Sequence, residues 1–222
     1  MFLRRLTLFN FKNYDEAEFS FSEGANAFTG QNGSGKTNIL DAIQYICLCK
    51  SYFNSGDALS IKHQQSFFSV NGTFELDGKN EEILVLVKNG QKKSIKRNQK
   101  EYSRLGEHIG LLPLVVEAPV DQELISGGSE ERRKLMDSII CQYNHPYLDD
   151  LMAYNRVLQQ RNALLKQTAK GALTDASLWQ VWDEQLAVYG EKIYLVRKEF
   201  MDHFLPLFQE SYGYLTNNSE EA

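Results

Sequence analysis

Apolar and polar residues alternate along much of the chain before residue 116, a two-residue period that is typical of β-strands. Two alternating stretches and a short apolar run at residues 25–29 predict strands in the first thirty residues. The alternation returns over residues 66–95, and a buried strand is predicted at residues 111–116. Turns are predicted at Asn71-Gly72, Asp77-Gly78 and Asn89-Gly90.

A helical period appears once among these strands and then dominates the C-terminal part of the chain. Residues 38–49 predict a helix that packs one face on a sheet, and three more helices are predicted over residues 130–143, 147–167 and 176–212. The last helix carries an apolar seam from Trp182 to Phe200, which we interpret as its contact with the preceding helix in a helical lobe. Pro206 is expected to kink or end that helix.

Composition narrows the class of protein. The chain has 222 residues, 42% of them hydrophobic, which is enough to bury a substantial core. No apolar run approaches the roughly 20 residues that span a bilayer, so no membrane role is expected and a cytoplasmic location is the default. The three cysteines, Cys47, Cys49 and Cys141, are expected to be buried, reduced thiols. A net charge of −5 implies that any nucleic-acid contact is concentrated in a patch.

Residues 30–37 read GQNGSGKT and match the phosphate-loop pattern GxxxxGK[ST], between a predicted strand and a predicted helix. Glycines let backbone N–H groups turn toward phosphate oxygens, and the helix that follows adds its positive end. Lys36 is expected on the β and γ phosphates, and the Thr37 hydroxyl is expected to ligate Mg²⁺. The predicted cofactors are therefore ATP and Mg²⁺. The predicted nucleotide-binding residues are Gly30, Gln31, Asn32, Gly33, Ser34, Gly35, Lys36 and Thr37.

The acidic half of an ATPase site is not evident. A cassette-type head needs an apolar strand ending in acids and an LSGGQ-like loop. Glu117 follows an apolar run but stands alone, and residues 125–129, ISGGS, lead into a helix instead of an acidic strand. We interpret residues 125–129 as a turn in which Ser129 caps the next helix.

The loop, its preceding strands and a downstream motif together resemble the RecF family. The matching segments are LTLFNFKNY, GQNGSGKTNILDAI, KSYFN, the APxD segment at residues 118–121, and GGSEERRKLMD at residues 127–137. The resemblance implies an α/β P-loop NTPase of the ATP-binding cassette/SMC-head type with an added helical lobe. It divides the chain into an ATPase subdomain at residues 1–125 and a helical lobe at residues 126–222, and it places the rest of the ATPase in a C-terminal portion outside this chain.

The resemblance also implies a function in DNA replication and repair, including the SOS response to damage. A complete protein of this kind would form an ATP-dependent homodimer with weak DNA-stimulated ATPase activity, bind duplex DNA and junctions with single-stranded DNA, and help RecO and RecR load RecA. By similarity to related heads, Lys12 would touch the nucleotide phosphates. A solvated lysine in a turn is the other interpretation.

The densest basic segment is the best candidate for DNA contact. Residues 88–104 carry seven cations and one acid, and the predicted DNA-binding residues are Lys92, Lys93, Lys96 and Arg97. A solvated sheet edge explains the same charges. Two other functions remain open, namely a self-sufficient P-loop kinase using Glu117 or Asp121 as its base, and a protein-binding helical scaffold.

Overall fold

The computed structural model describes residues 1–169 and 176–219, although not the side chains of residues 176–178. The chain forms two compact units, Met1–Glu117 and Ala118–Ala222. Residues 118–125, assigned above to the ATPase subdomain, group with the helices of the second unit.

The first unit contains a six-stranded sheet of order β2-β1-β3-β4-β5-β6 in which every pairing is antiparallel. Its strands are β1 (Phe2–Phe9), β2 (Glu16–Ser20), β3 (Phe67–Leu76), β4 (Lys79–Lys88), β5 (Ser94–Arg97) and β6 (Lys100–Glu101). Asp77 and Gly78 both have positive φ, at 51° and 75°, and form the predicted turn, which joins β3 and β4 as a two-residue hairpin. The predicted turn at Asn89-Gly90 begins the longer connection from β4 to β5.

One helix, α1 (Lys36–Leu48), covers one face of this sheet and starts two residues before the predicted boundary. Alternate strand residues such as Leu8, Val70 and Val85 point to this face and are completely buried, as are Tyr45 and Ile46 of the helix. The opposite face carries partly exposed residues, among the residues described. A well-packed core therefore holds α1 against the sheet.

Three sequence predictions in this unit are wrong. Residues 25–29 and 111–116 pair with no other strand in the described chain. An apolar run can predict burial, but a strand also needs a partner for its N–H and C=O groups. Gly72 lies in the middle of β3 instead of in a turn. A Cβ at this position would lie 2.8 Å from Ile46 Cδ1, which explains why the residue is glycine. Glycine at this position permits close approach of α1 to the sheet.

The second unit is helical. Its helices are α2 (Glu123–Ser126), α3 (Ser129–Tyr143), α4 (His145–Thr168) and α5 (Ala176–Thr216). The predicted seam of α5 is buried or half-buried while its neighbours are mostly exposed, and Gly190 lies against Tyr154 of α4. The seam consists of Trp182, Leu186, Tyr189, Ile193, Val196 and Phe200.

Side-chain hydrogen bonds tie α3, α4 and α5 together. Arg197 donates to both carboxylate oxygens of Asp137 at 2.8 Å, and the Tyr147 hydroxyl donates to Asp137 at 2.5 Å. One local prediction is wrong: Ser129 is the first residue of α3, and Gly128 holds the N-cap position without a side-chain cap. Helix α5 continues past Pro206, so this residue does not end the helix.

Cys47, Cys49 and Cys141 are buried thiols that form no disulfide among the described residues, as predicted. Within the described ranges, no helix is both long and apolar enough to cross a membrane.

Candidate functional site: a phosphate loop braced by the β1–β2 connection

The phosphate loop, residues 30–37, joins residues 25–29, which have no regular secondary structure, to the start of α1. Gly33 and Gly35 have φ of +82° and +103°, a region that L side chains rarely adopt. Gly35 is the N-cap of α1, which has neither a side-chain cap nor an acidic residue in its first turn. The first N–H groups and positive end of α1 are therefore not neutralised by the helix's own side chains, an arrangement that suits an anion.

Lys36 and Thr37 are placed for the roles that the sequence predicts. The Lys36 ammonium donates to the carbonyls of Gly30 and Gln31, each at 2.8 Å, so its charge lies over the loop. Thr37 is exposed, and its hydroxyl makes no hydrogen bond to any described residue. That hydroxyl suits Mg²⁺, which takes oxygen ligands and completes its shell with phosphate oxygens and water. Among the described residues, no group of three or more His, Cys, Asp or Glu side chains could hold a metal ion.

Lys12 lies near this site but its ammonium contacts a carboxylate. Its Nζ is 2.5 Å from Asp41 Oδ2, and only 12% of the Lys12 side chain is exposed. Asp41 lies on α1 one turn after Thr37 and is buried. The ammonium also lies 5.3 Å from the centre of the Phe53 ring. Nucleotide contact by Lys12 stays a prediction, and it would require the ammonium to leave Asp41.

Asp41 is a site residue that sequence reasoning missed. Besides Lys12 it accepts hydrogen bonds at 2.7 Å from the Ser51 hydroxyl and from the Tyr52 N–H. A buried carboxylate is tolerated only when paired and hydrogen-bonded. Asp41 therefore anchors the segment after α1, residues 50–54, and the β1–β2 connection to the helix that carries the phosphate loop.

Asn13 is a second residue that the sequence did not single out. Its amide donates to the Ser34 carbonyl at 3.3 Å and accepts from Asn38 Nδ2 at 2.7 Å. A Cβ at Gly35 would lie 2.6 Å from Asn13 Nδ2 and 2.7 Å from the Tyr14 hydroxyl. The only available signal was the position of FKNY directly after the first strand.

The four predicted DNA-contact residues do not share one surface. Lys93 lies on the core side of the sheet, where its ammonium is 2.8 Å from Asp57 and donates to the Cys49 carbonyl at 2.6 Å. Arg97 lies on the same side and pairs with Glu81 at 2.8 Å, and this hydrogen bond lowers the pKa of Glu81. Both cations already have partners.

Lys92 and Lys96 lie on the other side. Lys96 pairs with Leu84 across β4 and β5, opposite in orientation to the buried pair Val85 and Ile95. Together with Lys88 they line a shallow cavity of about 240 Å³ whose apolar wall includes Leu84. Three cations and one carboxylate, that of Glu101, are therefore close together on the face that α1 does not cover.

The residues considered as catalytic acids have no support from the geometry. Glu117 is exposed and makes no hydrogen bond within the described chain. Asp121 accepts a hydrogen bond at 2.7 Å from the Ala118 N–H and so closes a local turn. Gly127 and Gly128 connect α2 to α3, and a Cβ at Gly127 would lie 2.4 Å from the Glu123 carbonyl oxygen.

Comparison with known proteins is consistent with this site. A family model described as an AAA domain matches residues 5–193. The DNA replication and repair protein RecF of Phocaeicola vulgatus is 47% identical over the whole chain, which spans 59% of that relative. RecF of Flavobacterium johnsoniae is 44% identical, and the chain spans 62% of it. The chain thus covers about three fifths of these relatives.

Solved structures of RecF are also similar to this chain. A structure of the recombination mediator protein RecF with ATP, described as part of the RecFOR pathway, has a TM-score of 0.87 and 30% identity, covering 97% of this chain and 58% of that one. Its counterpart described as RecF-ATPrS has a TM-score of 0.89 at the same identity and coverage. An SMC ATPase structure at 24% identity shares the fold, with a TM-score of 0.51. The chain has the predicted P-loop fold of the SMC-head type, and it belongs to the AAA-domain proteins and, among them, to the RecF family.

Proposed function

We propose that the chain binds ATP together with Mg²⁺ on the phosphate loop, residues 30–37. The observation that carries this proposal is the Lys36 ammonium held over the loop by two carbonyls, next to a helix N-terminus that has no side-chain cap. The RecF structures described with ATP and ATPrS support it.

Each loop residue would have a separate role. The Lys36 ammonium would leave the Gly30 and Gln31 carbonyls and contact the phosphate oxygens. The first N–H groups of α1 would also donate to phosphate oxygens. The free Thr37 hydroxyl would orient Mg²⁺, which supplies charge neutralisation when bound. The nearest carboxylate on α1, Asp41, is engaged by Lys12, Ser51 and Tyr52, so it is poorly suited to activating water. We therefore expect binding with little turnover.

The ATP proposal is tested with Lys36→Ala, assayed by calorimetric titration of MgATP. Loss of one charged phosphate contact should weaken binding at least about tenfold. Lys50→Ala, an exposed lysine beyond the end of α1, is the matched control. Equal binding by the Lys36→Ala variant and the parent would overturn the proposal. Rapid phosphate transfer by the isolated chain would instead favour the kinase alternative.

We further propose that the complete protein is an ATP-binding DNA replication and repair protein. In this proposal it dimerises on ATP, has weak DNA-stimulated ATPase activity, binds duplex DNA and junctions with single-stranded DNA, and helps RecO and RecR load RecA. The names of the relatives and the RecFOR pathway given for the solved structures support this assignment.

Within this proposal, Lys92 and Lys96 are the DNA contacts that the structure favours among the four predicted, and Lys88 joins them. Lys93 and Arg97 already satisfy carboxylates. Reversing Lys92 and Lys96 to Glu in the complete protein should weaken duplex binding and reduce its dependence on salt concentration. Reversing Lys166 and Lys198, two exposed lysines of the helical unit, changes the net charge equally and is the control. Identical salt dependence in both double variants would contradict this assignment.

A further inference from the structure

We propose that Asn13 is a positioning residue for the nucleotide: it orients the peptide between Ser34 and Gly35 so that the phosphate loop is set before ligand arrives. This inference rests on the proposed binding of ATP and assigns a role outside the GxxxxGK[ST] pattern itself.

The contacts of Asn13 join the loop to the first turn of α1. One amide group donates to the Ser34 carbonyl at 3.3 Å and accepts from Asn38 Nδ2 at 2.7 Å. Asn38 lies on α1 just after the loop, and its own N–H donates to the Gly35 carbonyl at 2.8 Å. Asn13 therefore contacts both sides of Gly35.

The direction of the Ser34 carbonyl decides the direction of an N–H group. In a trans peptide the C=O of one residue and the N–H of the next point in opposite directions. Because the Ser34 carbonyl faces Asn13, the Gly35 N–H faces away from Asn13. If this peptide rotated, the Gly35 N–H would no longer point in its present direction. Backbone N–H groups of such loops are the hydrogen-bond donors to phosphate oxygens.

Asn13 is itself held by a braced connection. The preceding Phe11 is completely buried and bridges to Ile61, and the Lys12 N–H donates to the Ser60 carbonyl at 2.9 Å. The Lys12 ammonium is fixed on Asp41 of α1. The Asn13 carbonyl accepts from Lys62 at 3.4 Å. The β1–β2 connection is therefore fixed to α1 and to residues 60–62. This fixed backbone places the Asn13 side chain beside the phosphate loop.

Steric contact restricts the same peptide. Gly35 has φ of +103°, and a Cβ there would collide with both Asn13 and Tyr14. Tyr14 in turn packs edge-on against Phe19, with ring centres 5.8 Å apart. The side chains of Asn13 and Tyr14 thus pack against Gly35, and the hydrogen bonds of Asn13 favour one orientation of the Ser34–Gly35 peptide.

The experiment measures MgATP affinity and the amide resonance of Gly35 in the ligand-free chain. Asn13→Ala should weaken MgATP about fivefold, the scale of the hydrogen bonds lost, and should shift the Gly35 ¹H–¹⁵N resonance. Asn38→Ala should also weaken binding, and the double variant should be no weaker than Asn13→Ala alone, because both changes remove the same bridge. Asn89→Ala, the same chemical change in an exposed turn, is the control.

The outcomes separate this inference from the ATP proposal. If Asn13→Ala keeps both the parent affinity and the parent Gly35 resonance while Lys36→Ala loses binding, the positioning role is wrong and ATP binding stands. If Lys36→Ala binds as the parent does, the ATP proposal fails, and the Gly35 resonance still decides whether Asn13 orients the loop. Additive losses in the double variant would contradict the shared bridge.

Discussion

Lys93 illustrates how the environment of one side chain decides its role. In the sequence it is one of several cations in a basic run, but in the structure its ammonium contacts Asp57, the Cys49 carbonyl and the face of Tyr45. Its side chain is only 15% exposed. Burial of a charge is tolerated because these partners replace water.

We therefore predict that Lys93→Ala destabilises the chain while Lys92→Ala does not. The first change leaves Asp57 without its cation and should lower the free energy of unfolding by about 1–3 kcal/mol. The second removes an exposed lysine and should change it by less than about 0.5 kcal/mol. Urea unfolding of the two variants measures the difference. Equal midpoints would mean that the Lys93 contacts add no stability.

His108 gives a prediction for pH. It is completely buried, its Nε2 lies 2.7 Å from the Ile46 carbonyl, and burial lowers its pKa. Below about pH 6.5 the unfolded chain takes up a proton that the folded chain resists, so stability is present above that pH and lost as pH falls. Replacing His108 with Gln should flatten the decline in melting temperature between about pH 7 and pH 5. A parallel decline in the parent and the variant would contradict this assignment.

At the scale of elements, the distance between α1 and the sheet depends on a glycine. Gly72 lies beneath Ile46 of the helix and beside Phe74 of its own strand, with no room for a Cβ. A closely packed interface has little capacity to absorb an added methyl group.

Gly72→Ala is accordingly expected to destabilise the chain by about 1–3 kcal/mol, because Ile46 or Phe74 must leave its rotamer. Gly56→Ala is the matched control, since a Cβ at Gly56 meets nothing within 4 Å and its φ of −128° suits any residue. Chemical unfolding monitored by circular dichroism compares them. Identical unfolding of the two variants would mean that contact with Ile46 and Phe74 does not exclude a side chain at residue 72.

One polar cluster in the helical unit connects three of its helices. Arg197 forms a two-point contact with Asp137, and Tyr147 donates to the same carboxylate. These residues come from α5, α3 and α4 respectively.

Arg197→Ala should lower the free energy of unfolding of the helical unit by about 1–3 kcal/mol, because Asp137 loses its charged partner. Lys198→Ala, the neighbouring exposed cation without a partner among the described residues, should have almost no effect. Thermal unfolding followed by helical ellipticity is the measurement. If both variants melt with the parent, the cluster does not hold the helices together.

At the scale of the whole molecule, the chain consists of two compact units joined at Glu117 and Ala118. The joining segment has no secondary structure over residues 113–118, and Val115 is 79% exposed. An exposed, extended backbone is the form that proteases cleave.

Brief digestion with a glutamate-specific protease should therefore cut after Glu117 and release fragments of residues 1–117 and 118–222. The Glu117→Gln variant should resist at this bond and be cut elsewhere at the same rate as the parent. Mass spectrometry identifies the fragments. First cleavage inside β3 or α3 would contradict the division into two units.

The sequence alone determined the parts of this protein that depend on neighbours along the chain. The phosphate loop, the presence of helix α1, the Asp77-Gly78 turn and the seam of α5 follow from local torsions and periodicity, which any short segment displays. Family membership followed as well, because several motifs occur in one order.

The tertiary structure alone decided what depends on residues distant in sequence. Residues 25–29 and 111–116 look like strands but find no partner strand in the described chain, and Gly72 looks like a turn but marks a helix contact. Asn13 reaches the phosphate loop, Lys12 reaches Asp41, and Lys93 reaches Asp57 across 21, 29 and 36 residues respectively. Strand pairing and the partner of a charge are properties of packing, and no local pattern encodes them.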